Sequence, residues 1–372
     1  MNREKPILYI TRDRERAEGI PEDSGFSIIS GAGENTLDLI EKTDLPKGSN
    51  IVVFKNSKQI EEIALNRGWN LLNPSAELAE RIENKITQIA WLGGFARLLP
   101  PHEIKLAKDI VWKKTPFILQ WAHSHTGEGT FLISKESELS LLKQKFPERE
   151  ARITEYIKGP MFTVNIVVSS DKILIGNVSY QITGIAPFTD NPFSTIGNDW
   201  SMPATLLTEK TLDEVGALAI LIGNKMQEEK WKGLFGIDVV YDEERDQIYL
   251  IEINARQPAS TTYESQLQTS VKNHGIPGIT IFEAHLMALS DIPITSPLIG
   301  INDGAQIIQR VTRDVKSVPA IHLENAGYKI ILYKNTTPNA DLARIQSARG
   351  IMEAHGKFNT RGKEIEKLIA MK

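Results

Sequence analysis

The segment at residues 233–264, GLFGIDVVYDEERDQIYLIEINARQPASTTYE, constrains this chain more than any other. Two apolar runs, residues 237–241 and 248–253, flank the polar residues 243–247, the pattern of an antiparallel hairpin closed by a short loop. Side chains alternate faces along a strand, so Glu252 and Asn254 point the same way. A loop that closes symmetrically about Asp242 and Ile248 sets Asp238 opposite Glu252. Like charges facing each other within apolar strands repel, and burying an ion without a partner costs several kcal/mol. A bound divalent cation relieves both problems. The all-oxygen set Asp238, Glu252 and Asn254 suits Mg2+ or Mn2+, hard ions that keep positions open for phosphate oxygens. The other reading is a solvent-facing sheet edge with scattered acids. Arg256, which leaves the strand placed for an anion, favours the cation.

This arrangement of an acid, a hairpin and E-x-N-x-R resembles the metal-binding end of the ATP-grasp superfamily. The resemblance implies that Asp238, Glu252 and Asn254 hold Mg–ATP and that Arg256 is catalytic at the reacting phosphate. It also implies a fold of the α/β (α+β ATP-grasp) class. An open N-terminal α/β lobe (residues 1–74) precedes a central ATP-grasp domain (75–297). Within that domain a mobile β-rich subdomain (about 113–175) covers the nucleotide, and a small C-terminal lobe (298–372) closes the chain.

The 372 residues exceed a single small core. A net charge of −4 shows no basic bias toward nucleic acid. Cysteine is absent, which excludes disulfides, thiolate catalysis and Cys-zinc sites and fits a reducing compartment. The first residues, MNREKPILYITRDRE, carry no signal-type apolar region, and the longest apolar stretch, near 215–223, is far short of the ~20 residues a membrane span needs. A cytoplasmic protein without a membrane partner is expected.

Along the chain, residues 6–11, 26–30 and 50–55 have strand length and alternate with helix-like pieces at 36–42 and 58–67, which predicts a parallel sheet. The turn Gly31-Ala32-Gly33 opens like a dinucleotide fingerprint, but Thr36 stands at the third glycine, so an ordinary tight turn is the better reading. Ser75 is a helix N-cap for residues 76–92, where Leu78, Ile82, Ile86, Ile89 and Leu92 recur at helical spacing until Gly93-Gly94. Asn84-Lys85 matches the Asn-Lys pair of the ATP-grasp order, which implies Lys85 on a helix, holding phosphate. Strands are expected at 117–121 and 131–134, about a polar, glycine-bearing loop. The resemblance makes that loop, His123, His125, Thr126, Gly127, Gly129 and Thr130 included, the phosphate cover. No Walker loop exists, and His123 and His125 lack a third zinc ligand.

A short helix at 136–145 leads to strands at 153–157 and 161–169. By resemblance, Glu155 and Ile157 meet adenine through main-chain groups. Two positions depart from the family: Gln120 stands where a second ATP lysine is usual, and Met161 where a ribose-binding acid is usual. Gln brings a hydrogen bond but no charge. Residues 173–183 continue strand-like. The aperiodic stretch 184–199 is expected in the substrate pocket, because long loops in compact domains are commonly functional. A helix over 211–229 buries Leu212, Val215, Leu218, Ala219 and Ile222. After the small polar stretch 258–262, a helix at 279–289, a proline-marked linker at 292–298, strands at 305–311 and 328–333 and a charged helix at 361–370 complete the reading. Arg310 and Arg313 are candidates for the catalytic mouth.

A carboxylate is a poor electrophile until phosphoryl transfer gives it a leaving group, and such transfer needs charge neutralisation and in-line placement. The expected function is therefore an ATP-dependent ligase that makes an acyl phosphate on Mg–ATP and joins it to an amine. Its partners are a small-molecule carboxylate, an amine and possible self-association into a homodimer. Carboxylation through carboxyphosphate and a catalytically weak ATP-binding regulator are the alternatives.

Overall fold

The structure, a computed structural model, describes residues 6–22, 25–31, 35–122 and 129–371. The first lobe is a parallel sheet in which β1 (Ile7–Thr11) lies between β2 (Phe26–Ser30) and β3 (Asn50–Val53), with β4 (Asn70–Leu71) at the edge. Helices α1 (Thr36–Lys42) and α2 (Lys58–Arg67) fall where the alternation predicts them. Of the Gly31-Ala32-Gly33 turn, only Gly31 is among the described residues.

The helix expected over 76–92 is two helices, α3 (Ala76–Glu83) and α4 (Thr87–Leu92). Ser75 caps the first as predicted, accepting from Leu78 N at 3.2 Å. Asn84 then breaks the run. Its backbone is extended, and its Oδ1 accepts from the backbone N of Ile86 at 2.9 Å and Thr87 at 3.3 Å, a local bond that competes with the helical ladder. Lys85 thus sits in the break and not on a helix.

A second, antiparallel sheet contains β5 (His102–Leu106), β6 (Phe117–Trp121), β7 (Thr130–Ile133) and β8 (Glu150–Glu155) in the order β5-β8-β6-β7, with α5 (Glu136–Lys145) against it. Alternation gives it two unlike faces. Leu119, Trp121, Ala151 and Ile153 pack in a core with Leu139 of α5, whereas Gln120, Arg152 and Thr154 face a cleft.

The cleft's floor is a nine-stranded sheet. It contains β9 (Met161–Val168), β10 (Ile173–Ile175), β11 (Ser179–Thr183) and β12 (Thr195–Asp199). Helices α6 (Pro203–Leu206) and α7 (Glu209–Glu228) precede the hairpin of β13 (Gly233–Asp242) and β14 (Gln247–Asn254). Helices α8 (Thr261–Asn273) and α9 (Ile281–Leu289) lead to β15 (Ala305–Arg310), α10 (Ala320–Asn325), β16 (Lys329–Leu332) and β17 (Asp341–Ser347). The small hairpin β18 (Met352–Ala354) and β19 (Lys357–Phe358) and helix α11 (Thr360–Ala370) finish the chain. The order is β14-β13-β9-β11-β12-β15-β17-β16, with β10 on β9, so strands from the last 70 or so residues continue the central sheet. Among the described residues no helix is long and apolar enough to cross a membrane.

Three expectations change. The strand expected over 173–183 is interrupted at Gly176, whose N–H donates to Asn165 O at 2.7 Å. The aperiodic stretch 184–199 ends in β12. Helix α8 was not anticipated, because its buried face is polar apart from Tyr263: Thr261, Thr262, Glu264, Ser265 and Gln268 are all buried, so no apolar stripe marks it. Glu264 makes this face cohere. It accepts from Asn177 N at 2.7 Å, Asn177 Nδ2 at 3.0 Å and Asn165 Nδ2 at 2.5 Å. Glu264→Ala leaves Asn177 N without its acceptor and takes one hydrogen bond each from Asn165 Nδ2 and Asn177 Nδ2, and is expected to lower the unfolding free energy by roughly 2–4 kcal/mol in denaturant titration, while Glu264→Gln, which keeps an acceptor oxygen, loses clearly less.

Candidate active site

The hairpin places its carboxylates as the sequence predicts, by an unexpected route. Its turn is one residue tighter than expected, since Asp242 pairs with Gln247 and Tyr241 with Ile248. Asp242 Oδ1 organises the turn by accepting from Glu244 N and Arg245 N, and Asp246 takes a left-handed conformation (φ 50°). Continued unchanged, that register would set Asp238 opposite Ile251. A one-residue bulge at Ile251 restores the pairing of Asp238 with Glu252 and of Gly236 with Asn254.

Asp238 is buried near the centre of the strand triplet. Its Oδ1 accepts from Thr163 Oγ1 of β9 at 2.7 Å and its Oδ2 from Asn254 Nδ2 at 3.0 Å. Burial, and then the neighbouring Glu252, push its carboxyl up to about 6, against the weaker opposing pull of these hydrogen bonds and Lys85. Glu252 behaves differently. Burial pushes it up, but Lys85, Arg256 and Arg152 outweigh that and hold it below the usual carboxylate range. The buried Lys85 Nζ lies 2.5 Å from Glu252 Oε1, and burial shifts the ammonium down. Lys85 N donates to Ala122 O at 3.0 Å, tying the break in the helix to the end of β6.

Arg152, which sequence reasoning missed, stands directly across from Gln120 on adjacent strands. It is buried, and its donors reach Gln120 Oε1 (2.6 Å from Nη2, 3.1 Å from Nε), Gln88 Oε1 (3.1 Å) and the bulged Ile251 O (3.1 Å). Burial pushes it down to about 10, so it remains a cation at neutral pH. Gln120 also donates to Thr130 Oγ1 at 3.2 Å. The only available signal was a charge on a strand whose other face, Ala151 and Ile153, is apolar.

Most of these residues line one cleft of about 600 Å³; Lys85 and Gln88 are buried and are not part of its lining. Gln120, Thr130, Glu155, Ile157 and Met161 line it together with Asp238, Glu252, Asn254 and Arg256. Glu155 N donates to Pro101 O at 2.9 Å, and its carboxylate pairs with Arg245 at 2.5 Å. Arg256 Nε stands 3.3 Å from Glu83 Oε1, its ion-pair partner, while its charge also lowers Glu252. Gly129 accepts from Trp121 N at 3.0 Å, while His123, His125, Thr126 and Gly127 lie outside the described residues. Pro192, Phe193 and Thr195, from the stretch expected to build the substrate pocket, line the cleft as well. Arg310 lines it too, whereas Arg313 is exposed beside Asp190. A second hollow of about 400 Å³, on the N-terminal lobe beside Arg14, Glu18 and Lys329, holds none of these groups.

Among the described residues no group of three or more His, Asp or Glu side chains could hold a metal. The donor set that does converge is two carboxylates and an amide, all hard oxygen ligands. It includes a buried carboxylate whose hydrogen-bond partners are neutral, which is chemistry that Mg2+ or Mn2+ fits.

Residues 82–260 match the sequence profile of the ATP-grasp domain, a span that begins just before Lys85 and ends just beyond Arg256. The chain carries an ATP-grasp domain. No curated protein matches the sequence significantly. Among solved structures, the fold is similar over nearly the whole chain to an ADP complex of N5-carboxyaminoimidazole ribonucleotide synthetase (13% identity, 98% of this chain and 96% of the other, TM-score 0.66). It is also similar to the Aspergillus clavatus N5-carboxyaminoimidazole synthase bound to ADP and 5-aminoimidazole ribonucleotide (15%, 98% of both chains, 0.66) and to the Staphylococcus aureus synthetase (13%, 99% and 98%, 0.66). The likeness in fold therefore extends over the flanking lobes, although the matched profile does not.

Asp238 gives the ligand-free ATP-grasp domain a pH signature. An unfolded Asp titrates near 4 and the folded one near 6, so the unfolded chain loses its proton first and Asp238's contribution to stability falls as pH rises across that window. Asp238→Asn removes the buried charge. It is expected to stabilise the ligand-free protein by roughly 2 kcal/mol at pH 7–8 and by much less at pH 4–5. Thermal melts across pH check this; a gain independent of pH contradicts the shifted titration.

Proposed function

We propose that the protein is an ATP-dependent ligase that activates a carboxylate as an acyl phosphate and joins it to an amine, with release of ADP and phosphate. The observation that carries this reading is the convergence of Asp238, Glu252 and Asn254 on one wall of a cleft whose other lining includes Arg152 and Arg256, with Lys85 held at Glu252. Phosphoryl transfer needs little covalent help from a protein; it needs charge stabilisation and fixed geometry. Bound by Asp238, Glu252 and the Asn254 amide, Mg2+ would supply neutralisation of phosphate charge.

The chain's own residues supply the rest. Arg152 brings to the roof the cation that Gln120 lacks, and Gln120 orients it. Lys85, paired with Glu252 at 2.5 Å, is the cation that would turn to phosphate if that carboxylate were taken up by a cation. Arg256, released from Glu83, stabilises the oxyanion formed as the amine attacks the acyl carbon, after which the phosphate leaves with the electrons of the C–O bond and takes up the proton lost by the amine. The main-chain groups near Glu155 and Ile157 receive the base, with Met161 beside them.

A second reading keeps this chemistry and replaces the organic carboxylate with bicarbonate, so that the acyl phosphate is carboxyphosphate and the product a carbamate. The full-length likeness to N5-carboxyaminoimidazole ribonucleotide synthetases favours it.

Phosphate release from Mg–ATP separates the readings when measured with hydroxylamine against a panel of amino acids, small carboxylates and bicarbonate. Carboxylate-dependent release with hydroxamate formation supports the first, and bicarbonate-dependent release the second. Tight ATP binding without turnover under any condition indicates a regulator and removes both. Glu252→Gln is expected to reduce turnover by about 100-fold or more with an unchanged circular-dichroism spectrum. Arg152→Met is expected to weaken ATP binding by roughly tenfold in titration calorimetry.

A further inference from the structure

The cleft has a second charged cluster, outside the matched domain. Arg16 comes from the turn after β1, Arg310 from β15 and Arg344 from β17, and all three line the cleft. One carboxylate stands among them. Asp341 Oδ1 lies 2.8 Å from Arg310 Nη1, and its Oδ2 lies 3.6 Å from Arg16 Nη2 and 3.9 Å from Arg344 Nη2. Glu15 Oε1 is 3.1 Å from Arg16 Nε and accepts from Tyr333 OH, which in turn accepts from Arg344 Nε at 3.2 Å. Nearby Asp13 faces Arg12 at 3.6 Å, a pair that adds no net charge.

Among the described residues, three guanidinium groups face the carboxylates of Asp341 and Glu15, with the Arg12–Asp13 pair beside them. Arg344 is 2% exposed and Arg310 4%, and a guanidinium cannot shed its proton, so a net positive charge remains where water screens it poorly. Two buried nitrogens, Arg16 Nη1 and Arg344 Nη2, have no hydrogen-bond partner among the described residues. Arg344 is otherwise held by neutral groups: Nη1 donates to Gln306 Oε1 at 3.0 Å and to Ala259 O at 3.4 Å. If the cluster only joined the lobes, a further acid or a backbone carbonyl would be expected to cover these nitrogens.

We propose that Arg16, Arg310 and Arg344 form a binding site for an anionic group, a carboxylate or a phosphate, carried by the substrate other than ATP. The word substrate rests on the ligase reading; the anion site itself does not. A row of polar side chains connects this site to the metal ligands. From Asp238 it runs through Thr163 and Gln181 (2.7 Å apart) to Thr195 Oγ1 (3.2 Å from Gln181), whose carbonyl accepts from Arg310 Nη2 at 3.0 Å. A molecule gripped by its anion at one end thus lies over the sheet with its other end toward Asp238 and Glu252. The site selects substrates bearing a charged group.

The test is calorimetric titration of the full-length protein, saturated with Mg2+ and a nonhydrolysable ATP analogue to fill the triphosphate site, with inorganic phosphate and separately with succinate. At least one anion is expected to bind. Arg344→Gln and Arg16→Gln are each expected to weaken that anion roughly tenfold while leaving analogue affinity within about twofold, and Arg313→Gln to change neither. The tighter of the two probes names the class. Arg16→Gln keeps the test decisive if Arg344→Gln does not fold, because the Arg16 side chain is 15% exposed whereas Arg344 is buried. Failure of both anions to bind the parent protein, or equal binding to parent and variants, overturns the proposal. Arginine-dependent anion binding by a protein that ignores the nucleotide upholds the site and removes the ligase reading.

Discussion

Two carboxylates on neighbouring strands repel, and here the pair is deliberately unequal. Lys85 meets Glu252 at 2.5 Å, while Asp238 has hydrogen bonds from a hydroxyl and an amide and, among the described residues, no ion pair. One acid is therefore held charged and the other is pushed toward protonation. Several irregularities elsewhere follow from this pairing. The helix must break at Asn84 for Lys85 to reach the strand. The ladder must bulge at Ile251 for Glu252 to oppose Asp238. The bulge also frees the carbonyl that helps hold Arg152, so a single departure from regular pairing serves both walls of the cleft.

The chemistry-bearing hairpin was legible because its signal is local: alternation, a polar turn and acids out of place in apolar strands. The parallel sheet of the first lobe was legible for the same reason. What escaped depends on partners distant in sequence. The pairing of Asp238 with Glu252 came from a turn read one residue too long, and the bulge offset the error. Helix α8 was invisible because Thr262, Glu264, Ser265 and Gln268 make its inner face polar, and only the folded chain shows Asn165 and Asn177 waiting for Glu264. Strand β17 is similar: Arg344 and Gln346 are buried, so a strand central to the last part of the sheet reads as loop. Arg152 looks like an ordinary surface arginine until Gln120 is placed opposite it.

The cleft divides along the same line. Lys85, Gln120, Arg152, Asp238, Glu252, Asn254 and Arg256 all fall within residues 82–260, the span matched by the ATP-grasp profile. Arg16, Arg310 and Arg344 fall outside it, on the lobes that flank that span. The matched span thus contains the carboxylates and cations of one part of the cleft, and the flanking lobes contain the arginine cluster of the other. Such a division lets a fold keep one activation chemistry while its acceptor changes.

The cations of the cleft are held in two ways, with different consequences. Lys85 and Arg256 are paired with carboxylates, Glu252 and Glu83, so each must give up a partner before it can serve a ligand. Arg152 is oriented by two glutamine oxygens and a backbone carbonyl, and Arg344 largely by a glutamine, a carbonyl and a tyrosine hydroxyl. Neutral acceptors fix a guanidinium in direction without cancelling its charge. That is the arrangement electrostatic preorganisation requires: the cost of orienting the dipoles and burying the cation is met when the chain folds, and little reorganisation remains when an anion arrives. A lysine on β6 would be more mobile than an arginine clamped from three sides. Gln120 is therefore better understood as the brace for Arg152 than as a lost cation.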